Sequence, residues 1–427
     1  MSEPLPEQIG KYPILRQLGR GATSVVYLAR DPFANREVAI KVIKNQPAQD
    51  TDLRRRYRRV FLNEAALVGK LFHPHILTIY DAVSDENLSY IVMEFVDGKT
   101  LEHYCDVANL LPVTKVVEVI FKCSLALGFA QRHGVIHCDI KPANILIKEE
   151  TDIKLSDFGA ALYEEAEHTQ LKGIGSPAYM SPEQVQEKEV SYRTDIYSLG
   201  VVMYQMLTGK LPFRASSKAS LLYQVVHIPA VPPSTFRREV SAELDSLVMR
   251  CLEKEPEARF STWSDFSREL TQSYRNLEVP SDTISDTEKF NTLKSVAFFK
   301  DFREQELWET LRITSWHKFP AEQAIIREGD TGESFYIITG GEAKVSKMGR
   351  LLNILRAGDC FGEMLYFSET NTRRSTTIVS LSPLSVIEIK AADLSQASDA
   401  LQKDANKAFL RILIDRLTWA NNRLSAA

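Results

Sequence analysis

The hydrophobic period of this 427-residue chain switches from strand-like to helical early on and is lost near residue 271, and these breaks constrain the fold most. Residues 12 to 43 alternate apolar and polar positions around a glycine-bearing turn, LGRGATSVVYLA, and run into EVAIKVI, which predicts strands joined by turns. Residues 52 to 71, rich in Arg, Leu and Ala and free of Pro, predict a helix, and LSYIVMEFV predicts another strand. Val113, Val117, Ile120 and Leu127 then fall on one helical face. DIYSLGVVMYQMLTG is too apolar for a surface helix and predicts a buried one ending at Gly209. Strands first and helices afterwards predict two lobes.

Between 271 and 288 the sequence TQSYRNLEVPSDTISDTE is polar and aperiodic and contains Pro280, the signature of a linker. Beyond it come a short helical stretch, ELWETLRI, glycine-punctuated strands such as SFYIITGGEAKVSK, and a helical segment over 400 to 424. The expected organisation is one domain over 12–270, a linker over 271–288 and a second domain over 289–427.

The charge balance, 52 basic against 56 acidic residues for a net −4, gives no overall attraction to nucleic acid or anionic membrane. MSEPLPEQIG lacks the basic start and apolar core of a secretory signal, and no apolar run is long enough to span a bilayer. The five cysteines, Cys105, Cys123, Cys138, Cys251 and Cys360, are scattered and free of CxxC pairing, so reduced thiols and a cytoplasmic location are expected.

Two glycines in GRGATS make nothing more than a turn by themselves. Their order relative to later segments changes that: Lys41 in VAIK, Glu64 in FLNEAAL, Asp139 and Asn144 five apart in HCDIKPAN, Asp157 in SDFG, SPE at Ser181 to Glu183, DIYSLG from Asp195 and Arg259 in EARF. With these pieces in sequence, residues 12 to about 270 resemble a eukaryotic-type protein kinase, an α+β fold of two lobes.

The resemblance implies ATP and Mg²⁺ as cofactors and proteins as substrates. Gly19, Gly21, Ser24, Val26 and Ala39 would surround the nucleotide, and the backbone of Glu94 and Val96 would meet adenine beside Met93. Lys41, paired with Glu64, would reach the α and β phosphates; Asn144 and Asp157 would hold the metal. Asp139 would orient the attacking hydroxyl and take its proton, while Lys141 would meet the γ-phosphate. Lys141 in DIKPAN and Ser176 in GSPAY resemble serine/threonine enzymes.

Three departures stand out. Cys138 occupies the usual arginine position; a small neutral residue cannot pair bidentately with a phosphorylated activation loop, so control is expected to change while chemistry stays. Phosphorylation of Thr169 is therefore not expected to be the main switch. Ser24 stands for a third glycine and Ser181 for an alanine, with Glu183 still available to pair with Arg259. RRRYRR at 54–59 reads as a solvated helix face, with EEAEH at 164–168 as a candidate partner, and not as a nucleic-acid site.

In the second region, glycines at 329, 332, 340, 341, 358 and 362 punctuate short strands, as a small jelly roll requires. FGE followed by RRSTT resembles the phosphate cassette of cyclic nucleotide-binding domains. There Glu363 would accept from a ribose 2′-hydroxyl, and an arginine would pair with the cyclic phosphate beside Gly362 and Ser375. The intervening segment is longer than in many such cassettes, which leaves Arg373 and Arg374 both open; the small-residue tail RSTT favours Arg374. Whether the effector is cAMP or cGMP stays open, with Trp419 and Tyr366 as candidate caps for the base. No helix-turn-helix follows FLRILIDRLTWANNRL, so the output is expected in the kinase.

The expectation is a serine/threonine kinase regulated in cis by cyclic nucleotide. The alternative is a catalytically silent nucleotide-binding scaffold whose C-terminal domain only docks or dimerises.

Overall fold

The computed structural model describes residues 5–21, 24–43, 69, 71–84, 88–149, 151–158, 162–163, 177–275, 285–367 and 373–425. They form two compact units, Met1–Ser281 and Asp282–Ala427. The helix expected over 52–71, with Glu64 and RRRYRR, lies outside the described residues, as do Thr169, Ser176 and EEAEH.

The first unit begins with a six-stranded antiparallel sheet in the order β1-β2-β3-β4-β6-β5. Its strands are β1 (Gln8–Ile9), β2 (Tyr12–Arg20), β3 (Ser24–Asp31), β4 (Arg36–Ile43), β5 (Ile79–Ser84) and β6 (Ser89–Glu94). Alternation decides its two faces. Val38 and Ile40 join Ile9, Tyr12, Ala29, Tyr90 and Val92 in a core on one side, which leaves Ala39 and Lys41 on the other.

Below the sheet, α1 (Val113–Arg132) packs against α3 (Tyr192–Thr208) and α6 (Trp263–Arg275), and α3 against α5 (Ala242–Cys251). The helix through 113–127 is not one-sided: it is enclosed by two helices and by β8 (Val135–Ile136) and β10 (Asp152–Leu155), so nearly all of it is buried. Its interior charges are matched, Lys122 Nζ lying 3.8 Å from Glu118 and donating to the Thr151 carbonyl at 3.2 Å and hydroxyl at 3.1 Å. Helix α3 is buried as its sequence predicts, and Gly209, at φ +70°, caps it in the left-handed conformation that glycine adopts without steric cost.

The stretch expected to link the domains is helical at both ends. Helix α6 runs to Arg275 on its amphipathic face, and α7 (Asp286–Ser295) starts at Ser285 with a reciprocal capping box to Glu288.

The second unit is a sandwich of two four-stranded antiparallel sheets, β12-β19-β14-β17 and β13-β18-β15-β16. They comprise β12 (Thr314–Phe319), β13 (Ala324–Ile326), β14 (Ser334–Gly340), β15 (Ala343–Lys347), β16 (Arg350–Leu355), β17 (Cys360–Phe361), β18 (Thr377–Ser380) and β19 (Leu384–Lys390). Ile326, Ile338, Leu355, Phe361, Ile378 and Val386 fill the space between them. Helices α8 (Glu304–Arg312), α9 (Met364–Phe367), α10 (Ala391–Gln396) and α11 (Asp399–Ser425) flank the strands. Phe409 anchors α11 through ring contacts of 5.1 Å to Phe298 and Phe335 and 5.3 Å to Phe367. No described helix is long and apolar enough to cross a membrane.

Candidate active site and ligand pocket

Strand register brings the expected nucleotide residues together. Gly19 lies opposite Val26, Val26 opposite Lys41, and Ala39 opposite Met93, so all share the sheet face turned away from the core. A Cβ at Gly19 would meet no protein atom within 4 Å, so nothing in the fold itself requires a glycine there. The Gly21 N–H donates to the Ser24 carbonyl at 2.9 Å and closes the turn. At the end of β6 the Glu94 N–H is taken by Thr78 O at 2.9 Å, and its carboxylate meets Lys154 at 2.9 Å; Val96 lies half-buried two residues on.

Lys41 Nζ forms an ion pair with Asp157 Oδ1. Asp157 sits at φ +61°. Burial pushes its carboxyl up, but the Lys41 ammonium outweighs this and holds it below the usual carboxylate range. An ionised oxygen pair with the amide oxygen of Asn144 is the donor set a hard cation such as Mg²⁺ takes, so these residues fit that ion.

The residues expected to form the catalytic loop converge on one carboxylate. Asp139 Oδ2 accepts from Lys141 Nζ at 2.6 Å and Asn144 Nδ2 at 3.0 Å, and Asn144 Nδ2 also reaches the Asp139 carbonyl at 2.8 Å. His137 Nδ1 accepts the Asp139 N–H at 3.3 Å, which leaves Nε2–H to donate to the Ser156 carbonyl at 3.1 Å. Its ring lies 4.3 Å from that of Phe158, so the two loops are packed together through these rings.

Beneath the loop, Asp195 at the start of α3 accepts the N–H groups of His137 and Cys138, both at 2.8 Å. Gln184 Nε2 donates to the Cys138 carbonyl at 2.8 Å. Ser181 caps α2 (Pro182–Val185) in a reciprocal box with Gln184, so its hydroxyl has a task an alanine could not perform. Glu183 receives Arg259 bidentately at 2.7 and 2.8 Å, with both side chains buried.

In the second unit a cavity of about 340 Å³ is lined by Ile326, Leu355, Gly362, Glu363, Arg373, Arg374, Ser375 and Arg416, among others. Arg374 donates to the carbonyls of Ser334 at 2.7 Å and Gly362 at 3.4 Å. A Cβ at Gly332 or Gly362 would fall 2.2 or 2.6 Å from this guanidinium, so both glycines make room for it. Burial pushes the Arg374 guanidinium below its ordinary value, and among the described residues no carboxylate lies at ion-pair distance from it. A half-buried cation whose bonds among the described residues go to carbonyls suits an anion. Arg373 is exposed at the rim, bridged to Thr331. Glu363 is buried, and its Oε1 accepts from Arg416 Nη1 of α11 at 2.6 Å; the other end of that guanidinium meets the Cys360 carbonyl. Tyr366 packs on Phe335 and Phe409, and the Trp419 side chain lies outside the described residues.

The sequence model of the protein kinase domain matches residues 12–273. The chain belongs to the protein kinase family. A model of the cyclic nucleotide-binding domain matches residues 316–400 of the same chain. The kinase is 36% identical over 289 residues to a probable serine/threonine-protein kinase of Clostridium acetobutylicum, covering 67% of this chain and 42% of that protein. It is 38% identical over 272 residues to the serine/threonine-protein kinase PknB of Mycobacterium leprae, covering 62% of this chain and 43% of PknB. The chain thus spans less than half the length of these curated relatives.

Two residues take part in these sites without a role assigned from the sequence. Asp195 enters the sequence pattern only as the start of DIYSLG, and its part in holding the His137–Cys138 turn comes from the structure. Arg416 lies 53 positions from Glu363, and nothing in the cassette points to it.

Proposed function

We propose that this kinase transfers the γ-phosphoryl group of ATP to serine or threonine hydroxyls of proteins, and that a cyclic nucleotide bound within residues 289–427 regulates it in cis. The observation that carries the first half is the Asp139 carboxylate, fixed between Lys141 and Asn144. There it orients a substrate hydroxyl and takes its proton as the oxygen attacks the γ-phosphorus; the bond to the β,γ-bridging oxygen breaks and ADP leaves. Mg²⁺, held by Asp157 and Asn144, would screen the phosphate charge. Lys41 binds the nucleotide phosphates, and Gly19, Gly21, Ser24, Val26, Ala39 and the backbone of Glu94 and Val96 enclose the rest. Glu64 keeps its expected part as the partner of Lys41.

Support for the second half comes from Arg374, a cation with no carboxylate at ion-pair distance among the described residues, beside a pocket that also holds Glu363. Arg374 takes the cyclic phosphate with Gly362 and Ser375 beside it, and Glu363 takes the ribose 2′-hydroxyl. The five buried thiols accord with a cytoplasmic location.

The test is transfer of radiolabel from ATP to a generic protein substrate, with and without cAMP and cGMP. Asp157→Ala should abolish transfer, whereas Arg374→Ala should keep basal transfer and lose the response. Labelling that survives Asp157→Ala, or a response that survives Arg374→Ala, overturns the corresponding half.

A further inference from the structure

Helix α11 has two working faces. Leu401, Ala405, Ala408 and Phe409 are buried on one, and Arg416 reaches from that side into the pocket. On the opposite side Leu410, Ile414 and Leu417 are 58, 62 and 64% exposed. Three large aliphatic side chains that open on one helix are not isolated surface residues, because their spacing is four then three. The sequence carries the same alternation on to Asn421 and Leu424, within a helix that extends to Ser425. Written as a heptad, Leu410, Leu417 and Leu424 occupy d while Ile414 and Asn421 occupy a. A β-branched residue at a with leucine at d favours two parallel strands, and a lone asparagine at a fixes register and strand number. One turn earlier the pattern stops at Lys403 and Lys407.

We propose that this face of α11 is the interface between two copies of the chain, a short parallel two-stranded coiled coil centred on Ile414 and Leu417. The occupant follows from self-complementarity: a stripe that repeats every seven residues is matched by an identical stripe running in the same direction across a two-fold axis. About 15 residues at 1.5 Å each give a seam of roughly 22 Å. That is below the usual size of a tight interface, so the dimer dissociates in the micromolar range. This inference needs only α11 and stands apart from the assignment of kinase activity and of a nucleotide ligand.

Sedimentation equilibrium of the whole chain over roughly 1 to 100 μM tests it, a range set by the expected affinity. The expected result is a reversible monomer–dimer equilibrium. Ile414→Glu with Leu417→Glu should lower association at least tenfold, while Leu381→Glu, at another exposed apolar position, should not change it. Circular dichroism and the melting curve of the double variant should match the parent. Oxidation of Leu417→Cys should give a covalent dimer, because d positions face their own copies in a parallel pair and the native cysteines are buried. A monomer at every concentration, a dimer indifferent to the paired glutamates, or a dimer that Leu417→Cys fails to cross-link would each overturn the proposal. So would a double variant that alters transfer activity without altering mass, since the stripe would then serve another surface of the same chain.

Discussion

At Cys138 the backbone takes φ +63°, a left-handed conformation that side chains other than glycine seldom adopt, and the next residue is Asp139. Asp195 holds this turn by accepting two consecutive N–H groups, and Gln184 fixes the carbonyl on the far side. Asp195→Ala leaves two buried donors without partners, about 1 to 3 kcal/mol each. It also frees the loop to shift the Asp139 carboxylate, and a displacement of about 1 Å costs on the order of 10²-fold. The expected outcome is a fall of that size in kcat with KM for ATP little changed, since the strand face proposed to meet the nucleotide is untouched; steady-state kinetics on folded protein read the split. Cys138 itself is buried, and that burial pushes its thiol well above the ordinary value. The other four are buried as well, with Cys105 pushed up to about 12. A thiol reagent at about pH 8 should therefore titrate no cysteine in the folded chain and all of them after denaturation. One reactive thiol in the native state would point to a sensor cysteine. The resemblance to protein kinases marks position 138 as one where an arginine is usual, but a left-handed turn leaves no mark in a tripeptide such as His-Cys-Asp.

Helix α2 is only four residues long, yet Gln184 on it holds the Cys138 carbonyl while Glu183 binds Arg259 and α3. Glu183 reaches Arg259, and Thr194 Oγ1 donates to the same carboxylate at 2.8 Å. Burial raises the Glu183 carboxyl, but the Arg259 bonds outweigh it and the group lies below its ordinary value. A folded-state value below the unfolded one gives stability that is complete above the ordinary glutamate range and is lost as pH falls through the depressed folded value. Glu183→Gln should cost about 3 to 5 kcal/mol at neutral pH, because Arg259 is left buried and unpaired, and should flatten that acid limb; denaturant melts at several pH values measure both. Arg416 makes the comparable bond in the second unit, and its removal should act in two directions. Arg416→Ala strands the buried Glu363, lowering the melting temperature of that unit, and gives a ribose hydroxyl a carboxylate free of competition. Calorimetric titration should then show tighter binding of cAMP or cGMP, a gain absent with the 2′-deoxy analogue. Equal gains for both ligands would break the argument. At this scale much was legible: the buried α3 and its Gly209 stop, the strand alternation that puts Val26, Ala39 and Lys41 on one face, and the glycine-rich sandwich. Less legible were features set by distant neighbours. Enclosure of α1 on all sides depends on α3, α6 and two strands that periodicity cannot see, and the pairing of Arg416 with Glu363 depends on where a terminal helix lands.

Across the whole molecule, one chain joins a protein kinase domain to a domain of the cyclic nucleotide-binding type. A shared chain does not by itself create regulation; an energy that depends on both sites does. If that coupling is about 1 to 3 kcal/mol, saturating one site changes affinity at the other by roughly 5- to 150-fold. Thermodynamic linkage then demands equality. The factor by which a non-hydrolysable ATP analogue alters the dissociation constant for cyclic nucleotide must equal the factor by which cyclic nucleotide alters the constant for the analogue. Both can be measured on the same preparation by calorimetry, and Arg374→Ala should bring the two factors to one together while leaving the analogue's own affinity unchanged. The effect on kcat need not match, because reciprocity holds for binding and not for turnover. Two factors that differ would mean that a further equilibrium, such as self-association through α11, is being shifted in one titration and not in the other; repeating both at a tenfold lower chain concentration should then restore equality. Two factors of one in the unmodified kinase would reduce the second domain to a tether or a dimer handle, with no hold on the affinity of the nucleotide site.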